Sequence, residues 1–241
     1  MPEEILISFC TACMNRQDHL RQTLVANLRD NQNITGVEFL LVDYGSTDGL
    51  GRWINNEMVP NLESGRLVYI KTKSFEFFHH AHAKNIAHRA ARGRIVCNLD
   101  ADNYTGIGFS EYLIQIFLSD DKLIVIPPTK NKGKRGTFGR IAMLKSDFEL
   151  IGGYDEQMRF GWGYEDRDLI NRAARMGIKI HFMPDNPSFL NAIQHGMNER
   201  AAHNRIKNCT RSRNRHRRIS LKNIEDGKLV ANDGRPWGVF T

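Results

Sequence analysis

The chain has 241 residues, of which 41% are hydrophobic and 25% charged, with a formal net charge of +7. These values are ordinary for a soluble globular protein with a substantial core. No apolar run approaches the ~18 residues of a membrane-spanning helix, and the N-terminus is acidic, unlike a secretion signal. Four cysteines are too few for a disulfide framework, so we expect a cytoplasmic protein.

Short apolar runs alternate with helical patterns along the first 126 residues. Apolar residues at helical spacing predict helices over 19–30, 81–93 and 108–118. Mostly β-branched apolar runs predict buried strands over 5–10, 37–43, 66–72, 94–100 and 122–128. This alternation predicts an α/β fold with a mostly parallel central sheet flanked by helices.

The second half of the chain is less regular. Its patterns predict a strand over 137–144, a helix from about Glu165 to Met176, a strand at IKIHFMP (178–184) and a polar tail. No internal repeat and no clear linker interrupt the sequence. We therefore expect one main domain over 1–205 and a basic C-terminal extension over 206–241.

Positive charge is concentrated near the C-terminus, in RIKNCTRSRNRHRR (205–218). Carboxylates gather instead at 100–102 and 165–168. A basic surface attracts nucleotides, nucleic acid or anionic lipid headgroups, although a solvated charged helix is an equally ordinary interpretation. One hypothesis is therefore peripheral contact between this tail and the inner face of an anionic membrane.

Acidic residues follow two of the predicted strands, in VDYGSTDG (42–49) and NLDADN (98–103). In open α/β sheets, ligands bind beyond the carboxyl ends of the strands. Asp100 and Asp102 are two residues apart in extended backbone, so their carboxylates point to the same side. Such a pair can hold a divalent cation, or one member can hold the cation while the other accepts from a ribose hydroxyl; acids that only face water are the alternative.

The order of these motifs resembles the GT-A glycosyltransferases, especially the family 2 enzymes and the β-1,4-galactosyltransferase/chondroitin polymerase group. The resemblance rests on VDYGSTDG, on A-K-N at 83–85, on the D-x-D of LDADN, and on GWGYED at 161–166, which is the most distinctive part. It extends over roughly residues 5–200. It implies a GT-A fold and an inverting transferase of polysaccharide biosynthesis, which moves a sugar from a UDP-sugar to a saccharide acceptor and forms a β linkage.

The resemblance also implies which residues bind the donor. Asp43 matches the acid that accepts from the uracil N3–H, and Asp100 matches the contact to ribose or sugar. The segment CMNRQDHL (13–20) is similar to one that touches the nucleotide, with Met14 where galactosyltransferases have a further arginine. The donor-binding candidates are Thr11, Arg16, Asp43, His80, Lys84, Asn85 and Asp100.

Two residues are implied as metal ligands. Asp102 matches the metal-binding member of the D-x-D motif, and AIQH (192–195) resembles a segment that ends in a metal-binding histidine, here His195. Ala192 stands where galactosyltransferases have a metal-binding methionine. Imidazole suits Mn²⁺ better than Mg²⁺, so we expect Mn²⁺, with Mg²⁺ as the alternative.

The acceptor side is implied by FGWGYEDRDL (160–169). An attacking hydroxyl must lose its proton, and a carboxylate can take it as general base. Asp166 matches the base of the family, Glu165 would bind sugar hydroxyls, and Trp162 would offer a flat face to a sugar ring. The flanking glycines are expected to act as hinges, and Asp168 to face helix amides or an arginine.

Other functions remain open on the sequence. A sugar-phosphate nucleotidyltransferase would need a glycine-rich basic loop after the first strand, which TACMNRQD lacks. A nucleic-acid-binding module would use the arginine-rich tail, but no recognised motif accompanies it. Cys10 and Cys13 form a CxxC without a second one, which favours packing over zinc or redox chemistry. We expect ordinary core or surface positions for four further histidines, His79, His82, His88 and His203.

Overall fold

A seven-stranded sheet covered by helices forms the centre of the protein. The computed structural model describes residues 6–73, 75–128 and 136–239; Ile5, where the first strand was predicted to begin, lies outside them. The strands are β1 Ile7–Cys13, β2 Val37–Asp43, β3 Leu67–Lys71, β4 Ile95–Asn98, β5 Asn103–Tyr104, β6 Leu123–Ile126, β7 Ala142–Leu144, β8 Lys179–Phe182 and β9 Asn191–Ala192. The helices are α1 Gln17–Asp30, α2 Leu50–Glu57, α3 Val59–Glu63, α4 His80–Ala90, α5 Phe109–Ser119, α6 Lys145–Leu150, α7 Glu165–Arg175, α8 Met197–Ala201 and α9 Cys209–Glu225.

The central sheet has the strand order β3-β2-β1-β4-β7-β6-β8. Its pairs are parallel except on the two sides of β7, which runs antiparallel to β4 and to β6. A second, two-stranded sheet joins β5 to β9. The predicted α/β fold with a mostly parallel sheet flanked by helices is confirmed.

The sheet is buried because its strands present apolar side chains to both faces. Along β1, Ile7 and Phe9 enter one core cluster with α1, α2 and α5, while Cys10 enters the other with α4, α6 and α7. The same alternation holds along β2, since side chains of successive strand residues point to opposite faces. Each buried Leu, Ile or Phe contributes roughly 1.5–3 kcal/mol relative to its exposed state. The strand ends, and with them the polar loops, are thereby fixed in position.

The CxxC pair is part of this core, as predicted. Cys10 and Cys13 are buried, carry free thiols and belong to the two different clusters. Burial raises the pKa of both thiols well above the usual value. Both sulfurs are therefore held as unreactive thiols and pack as small apolar groups.

Two predicted segments differ from the structure. Only 142–144 of the predicted strand 137–144 are extended, because Arg140 N–H donates to Thr137 O and closes a turn before β7. The polar tail contains α9, a helix of 17 residues. Six short elements were not predicted, because each has too few residues to show a periodic pattern: α2, α3, β5, α6, β9 and α8.

Helix α9 packs on the segment that carries GWGYED. Its buried stripe consists of Ser212, His216 and Ser220, four residues apart. His216 Nδ1 lies 2.8 Å from Gly163 O, and Asn223 Nδ2 donates to Asp155 Oδ2 at 2.9 Å. None of the helices in the described ranges has the length and apolarity needed to cross a bilayer.

Candidate active site

An open cavity of ≈ 400 Å³ lies beyond the carboxyl ends of β1 and β4. Its walls come from the loops after these strands, from the turn before β7, from the start of α7, and from the segments around α8 and α9. Nine of the twelve candidate residues line it, namely Arg16, His80, Lys84, Asp100, Asp102, Trp162, Glu165, Asp166 and His195. Residues from Arg16 to His195 in the sequence thus meet at the sheet edge where ligands bind in open α/β folds.

The small β5–β9 sheet brings the two predicted metal ligands together. Asn103 pairs with Ala192 in this sheet, and Ile193 N–H donates to Asp102 O at 2.8 Å. The His195 side chain, two residues further on, then places Nε2 at 2.6 Å from Asp102 Oδ2. Burial alone would raise the pKa of Asp102, but its hydrogen bonds with His195 and Asn103 lower it.

This pair fits a divalent cation. His195 Nδ1 is buried and has no hydrogen-bond partner among the described residues, so the ring holds uncommitted ligand capacity. The pair supplies one oxygen and one nitrogen, a mixed donor set that Mn²⁺ accepts. No group of three or more His, Cys, Asp or Glu side chains within the described ranges is arranged to hold a metal. A cation here would therefore need further ligands from a bound substrate.

Lys84 connects the D-x-D motif to GWGYED. Its Nζ donates to Asp166 Oδ1 at 2.8 Å and lies 3.7 Å from Asp100 Oδ1. The Lys84 side chain is 8% exposed, so water screens these charges weakly. Burial alone would lower the pKa of Lys84, yet the two carboxylates raise it well above its usual value. Lys84 is therefore a permanent cation between the two acids.

For the pKa values of Asp166 and Asp100, burial and the partner charge act with signs opposite to those for Lys84. Burial raises the pKa of each carboxyl, Lys84 opposes that rise, and a neighbouring acid adds to it: Glu165 for Asp166, and Asp166 for Asp100. The resulting pKa of each stands above its ordinary value. A carboxylate with a raised pKa is a stronger base, which suits proton removal from a hydroxyl.

Gly139 leaves the space in which these carboxylates lie. A Cβ at this position would stand 2.6 Å from Asp100 Oδ2 and 3.3 Å from Asp166 Oδ2. Asn98 Nδ2 donates both to Gly139 O at 2.7 Å and to Asp100 Oδ1 at 3.0 Å. The turn before β7 is thereby joined to the D-x-D loop and sets the separation of the two acids.

Glu165 begins α7 and points into the cavity wall. The residue is 3% exposed, and its Oε2 is buried without a hydrogen-bond partner among the described residues. A buried carboxylate oxygen without a donor is unfavourable in isolation, and a hydroxyl of a bound molecule would satisfy it. Asp168, on the other hand, is paired with Arg172 at 2.7 Å, which confirms the structural role predicted for it.

The backbone around Trp162 is tightly wound. Phe160, Gly163 and Tyr164 all have positive φ, at 76°, 97° and 82°. Such angles cost energy in residues other than glycine and cluster at functional sites. The segment is held by α9, whose His216 Nδ1 lies 2.8 Å from Gly163 O, and by Ile206 N–H, which donates to Phe160 O at 2.7 Å.

The glycines beside Trp162 have structural reasons that differ from the predicted hinge role. A Cβ at Gly161 would overlap Ser212 of α9, so this residue permits the close approach of the helix. Gly163 has φ at 97° and a Cβ there would contact Arg213 at 3.5 Å. Close packing at Gly161 and left-handed backbone at Gly163 each account for glycine here, and the hinge role stays a prediction. Trp162 itself lines the cavity half-buried, with the Arg200 guanidinium 5.5 Å from its ring centre.

Arg16, a predicted diphosphate contact, is engaged with Glu199 of α8. Its guanidinium donates to the Glu199 carboxylate and, at 2.9 Å, to Glu199 O. His19 Nε2 lies 3.2 Å from the same carboxylate. A negative group thus occupies the position between Arg16 and His19, which marks this end of the cavity as an anion site.

His80 begins α4 and lines the cavity. Its Nε2 is 3.0 Å from Asn204 Oδ1. Burial, with Lys84 nearby, lowers the pKa of His80 to about 3. The ring is therefore neutral at physiological pH and acts as a hydrogen-bonding group only.

Three of the candidate donor residues do not line the cavity. Thr11 Oγ1 donates to Leu99 O at 2.7 Å, and the Asp43 carboxylate accepts from Ser46 N–H at 2.7 Å and from the Tyr69 hydroxyl at 2.6 Å. Asn85 uses its amide on the backbone and side chain of residues 154–156. All three side chains are buried and committed to the fold.

Some cavity residues were not among the candidates. Arg200 and Gly139 line the cavity but belong to none of the motifs. Glu199, which binds the cavity residue Arg16, was not a candidate either. His203 also lines the cavity, although we had expected an ordinary position for it. His88 is a core residue as predicted, stacked on Phe148 with ring centres 4.6 Å apart.

One segment of the chain matches a known family model. Residues 127–196 match the family model described as the N-terminal domain of galactosyltransferase. This range contains GWGYED, AIQH and the turn before β7. No curated protein sequence matches the chain significantly.

Three solved structures share the fold. A mannosyltransferase from Pyrobaculum calidifontis in complex with GDP-Man and Mn²⁺ has 18% identity and a TM-score of 0.61 over 77% of this chain and 59% of its own. S. aureus TarS (1–349) has 15% identity and a TM-score of 0.57 over 75% and 58%. GalNAc-T7 with UDP, GalNAc and Mn²⁺ has 15% identity and a TM-score of 0.61 over 76% and 43%.

This chain thus spans less than two thirds of the length of each of these three structures. At these identities the likeness concerns the fold, and the segment match adds the GWGYED region. The resemblance predicted from the sequence motifs is confirmed at that level: the chain has the GT-A fold of the glycosyltransferases, and its residues 127–196 resemble a galactosyltransferase domain.

Proposed function

We propose that the chain is an inverting glycosyltransferase that moves a sugar from a UDP-sugar to a hydroxyl of a saccharide acceptor, with a divalent metal, and forms a β linkage. The observation that carries this proposal is the composition of the ≈ 400 Å³ cavity. One part of it holds the Asp102–His195 pair and an anion site at Arg16, and another holds Asp166, Glu165 and Trp162. Transfer of a sugar needs both groups within reach of one substrate pair.

On the acceptor side, Asp166 is the general base. It takes the proton of the attacking hydroxyl, a role typically worth ~10²–10⁴ in rate. Lys84 keeps Asp166 ionised in a poorly hydrated position and holds its Oδ1, which leaves Oδ2 for the acceptor. Glu165 accepts from a further sugar hydroxyl through its unpartnered Oε2. Trp162 gives a sugar ring an apolar face.

On the donor side, Asp102 and His195 would hold Mn²⁺, or Mg²⁺ in its place. The cation would supply positive charge to the departing diphosphate. Arg16 binds the diphosphate once Glu199 leaves it, Asp100 accepts from ribose or sugar hydroxyls, and Lys84 adds a second positive charge nearby. His80 lines this end as a neutral ring. We assign positioning roles to the buried residues Thr11, Asp43 and Asn85.

The choice of UDP rests on the sequence resemblance alone, because the Asp43 carboxylate, which matches the uracil contact, is buried here and paired with Ser46 N–H and the Tyr69 hydroxyl. Solved structures with this fold carry GDP-Man in one instance and UDP in another. The test below therefore compares UDP-sugars with GDP-sugars, so that it identifies the nucleotide base of the donor.

The test is a donor-hydrolysis screen with the full chain, UDP- and GDP-sugars, and Mn²⁺. We expect one UDP-sugar to be hydrolysed to UDP and free sugar, with loss of activity on chelation and recovery with Mn²⁺. Release of pyrophosphate from a nucleoside triphosphate and a sugar phosphate would favour the nucleotidyltransferase alternative. Hydrolysis of GDP-sugars alone would overturn the UDP assignment and leave the transferase reaction in place.

A further inference from the structure

A second recess is lined by residues that directly neighbour those of the cavity in sequence. It has a volume of ≈ 990 Å³ and we call it the basic groove. Its cations are Arg205, Lys207, Arg211, Arg215 and Arg218, and its lining contains no carboxylate. None of these five cations forms an ion pair within the described parts of the chain.

The groove is built by one face of α9 and the loop before it. Arg211, Arg215 and Arg218 follow one another at helical spacing, so they project from the same face of the helix. The buried stripe at Ser212, His216 and Ser220 fixes that face relative to the main domain. Arg215 Nη1 and Lys207 Nζ each donate to a backbone carbonyl, at 2.9 and 2.7 Å, which orders the two side chains.

The basic groove adjoins the acceptor end of the cavity. Asn204 lines the cavity and the next residue, Arg205, lines the groove. Likewise Trp162 belongs to the cavity and Phe160, two residues earlier, to the groove. An acceptor whose end lies on Trp162 would therefore need to pass only residues 204–206 to reach the groove.

We infer that the basic groove binds the extension of the acceptor, and that this acceptor is an anionic glycan, bearing carboxylates or phosphates along its chain. The inference rests on the proposed function, because it names the class of the acceptor. Guanidinium groups match carboxylate and phosphate geometry with two parallel hydrogen bonds. Five cations without carboxylate partners leave that capacity to a ligand.

Two other anionic partners fit the groove less well. A membrane surface is broad and nearly flat, whereas this site is concave, and none of the large exposed apolar side chains lines it. Single-stranded nucleic acid would need aromatic faces on which bases stack. The one aromatic ring here, Phe160, already has the Arg159 and Arg205 guanidinium groups 4.9 and 5.1 Å from its centre.

The test measures direct binding by the full chain, without turnover. The probes are three oligosaccharides of equal length: one with uronic acid residues, one linked by phosphodiesters, and one neutral. The groove variant combines Arg211→Gln with Arg218→Gln, and the control variant combines Arg52→Gln with Arg217→Gln. Both remove two exposed cations, but only the first pair lines the groove.

We expect one of the anionic oligosaccharides to bind the unaltered chain, and its Kd to rise about tenfold in the groove variant. The control variant should bind within about twofold of the unaltered chain, and added salt should weaken binding. Which anionic probe binds identifies carboxylate or phosphate as the recognised group. Equal affinity for the neutral probe, or equal loss in both variants, would overturn the inference.

The same variants are tested with a single-stranded oligonucleotide and with phosphatidylserine vesicles. Tighter binding of either one than of the glycans, lost in the groove variant alone, would assign the groove to that partner and overturn the glycan assignment. Donor hydrolysis needs no acceptor and separates the two proposals. Intact hydrolysis without glycan binding contradicts only the groove assignment, while glycan binding without any donor hydrolysis contradicts only the transferase.

Discussion

Lys84 Nζ lies 2.8 Å from Asp166 Oδ1 and 3.7 Å from Asp100 Oδ1, so one buried cation faces a carboxylate of the D-x-D motif and the carboxylate of GWGYED. Each acid is oriented by the same group. In the proposed reaction, the base and a donor contact are thereby held at a fixed separation before any substrate binds. Preorganisation of this kind reduces the reorganisation needed during reaction.

Replacement of Lys84 tests this relationship. In Lys84→Met the positive charge that opposes burial is lost, so the pKa of Asp166 rises further above its ordinary value. A general base must be deprotonated, hence the acidic limb of the pH profile of kcat should move to higher pH and activity at neutral pH should fall. Lys179→Met, which removes an exposed lysine paired with Asp120, is the control. An acidic limb at the same pH in Lys84→Met would show that Lys84 does not set the ionisation of the base.

The second prediction concerns Asp166 and the stereochemistry of transfer. Asp166→Asn keeps the shape and can still accept from Lys84, but cannot take a proton. We expect kcat to fall at least ~100-fold, ~2.7 kcal/mol in the barrier, with little change in UDP affinity. Glu165→Gln should act mainly on the KM of the acceptor, because Glu165 binds a hydroxyl without accepting its proton.

Product analysis completes that experiment. A single displacement inverts the anomeric centre, so an α-linked UDP-sugar should give a β-linked product in the NMR spectrum. An α-linked product, or near-normal turnover by Asp166→Asn, would remove Asp166 from the position of base.

The sequence predicts the fold well because its strands are periodic and buried. Runs such as 37–43 match β2 residue for residue, and the helix predicted from Glu165 agrees with α7 within one residue. The helix in the tail was harder to predict, because its sequence is mostly charged and polar and its buried residues Ser212, His216 and Ser220 are polar too. Serine and histidine do not register as an apolar pattern, although these side chains are buried.

The site was predictable as a set of residues but not as a set of contacts. Lys84 was a phosphate candidate, and its bond to Asp166, 82 residues away, has no local signature. The salt bridge from Arg16 to Glu199 spans 183 residues and arises only when α8 folds over the cavity. Gly139 matters because of the space it leaves, which a sequence pattern does not display.

The third prediction concerns metal binding. His195→Ala removes one of the two protein ligands, so we expect Mn²⁺ affinity in the presence of UDP to fall at least ~10-fold. Electron paramagnetic resonance of free Mn²⁺ measures this binding without any turnover. His181→Ala, in which the lost ring contacts only Tyr112 among the described polar groups, is the control. Unchanged Mn²⁺ affinity in His195→Ala would remove His195 from the metal site.

The fourth prediction concerns the space at Gly139. The φ of Gly139 is not positive, so alanine is compatible with the backbone, but its Cβ would stand 2.6 Å from Asp100 Oδ2. Asp100 must then move, and Asp166 with it. We expect kcat/KM of Gly139→Ala to fall by roughly 10–100-fold, since small misplacements of reacting groups are costly. Urea unfolding should show little loss of stability, because Asp100 faces the open cavity. A kcat/KM equal to that of the unaltered chain would mean that the spacing of the two acids is unimportant.

The last prediction concerns stability at acidic pH. Burial lowers the pKa of His79, His80 and His88 to about 3 each, whereas a histidine in the unfolded chain titrates near 6.5. Between these two values the unfolded state binds protons that the folded state does not. The contribution of these rings to the free energy of unfolding is therefore fully present above about pH 6.5. As the pH drops below this value, the free energy of unfolding falls by ~1.4 kcal/mol per pH unit for each ring.

His88→Phe isolates one of these three contributions. The ring stacks on Phe148 and lies 5.6 Å from Tyr154, so phenylalanine keeps the packing and removes the titrating group, at the cost of the hydrogen bond with Lys84 O. Urea unfolding at several pH values should show His88→Phe less stable than the unaltered chain near pH 7, where that bond is lost without compensation. The difference should shrink and then reverse as the pH falls towards 5, because only the unaltered chain loses stability through His88. Parallel curves for the two proteins would mean that His88 has the same pKa in the folded and unfolded chains, which its burial against Phe148 and Tyr154 opposes.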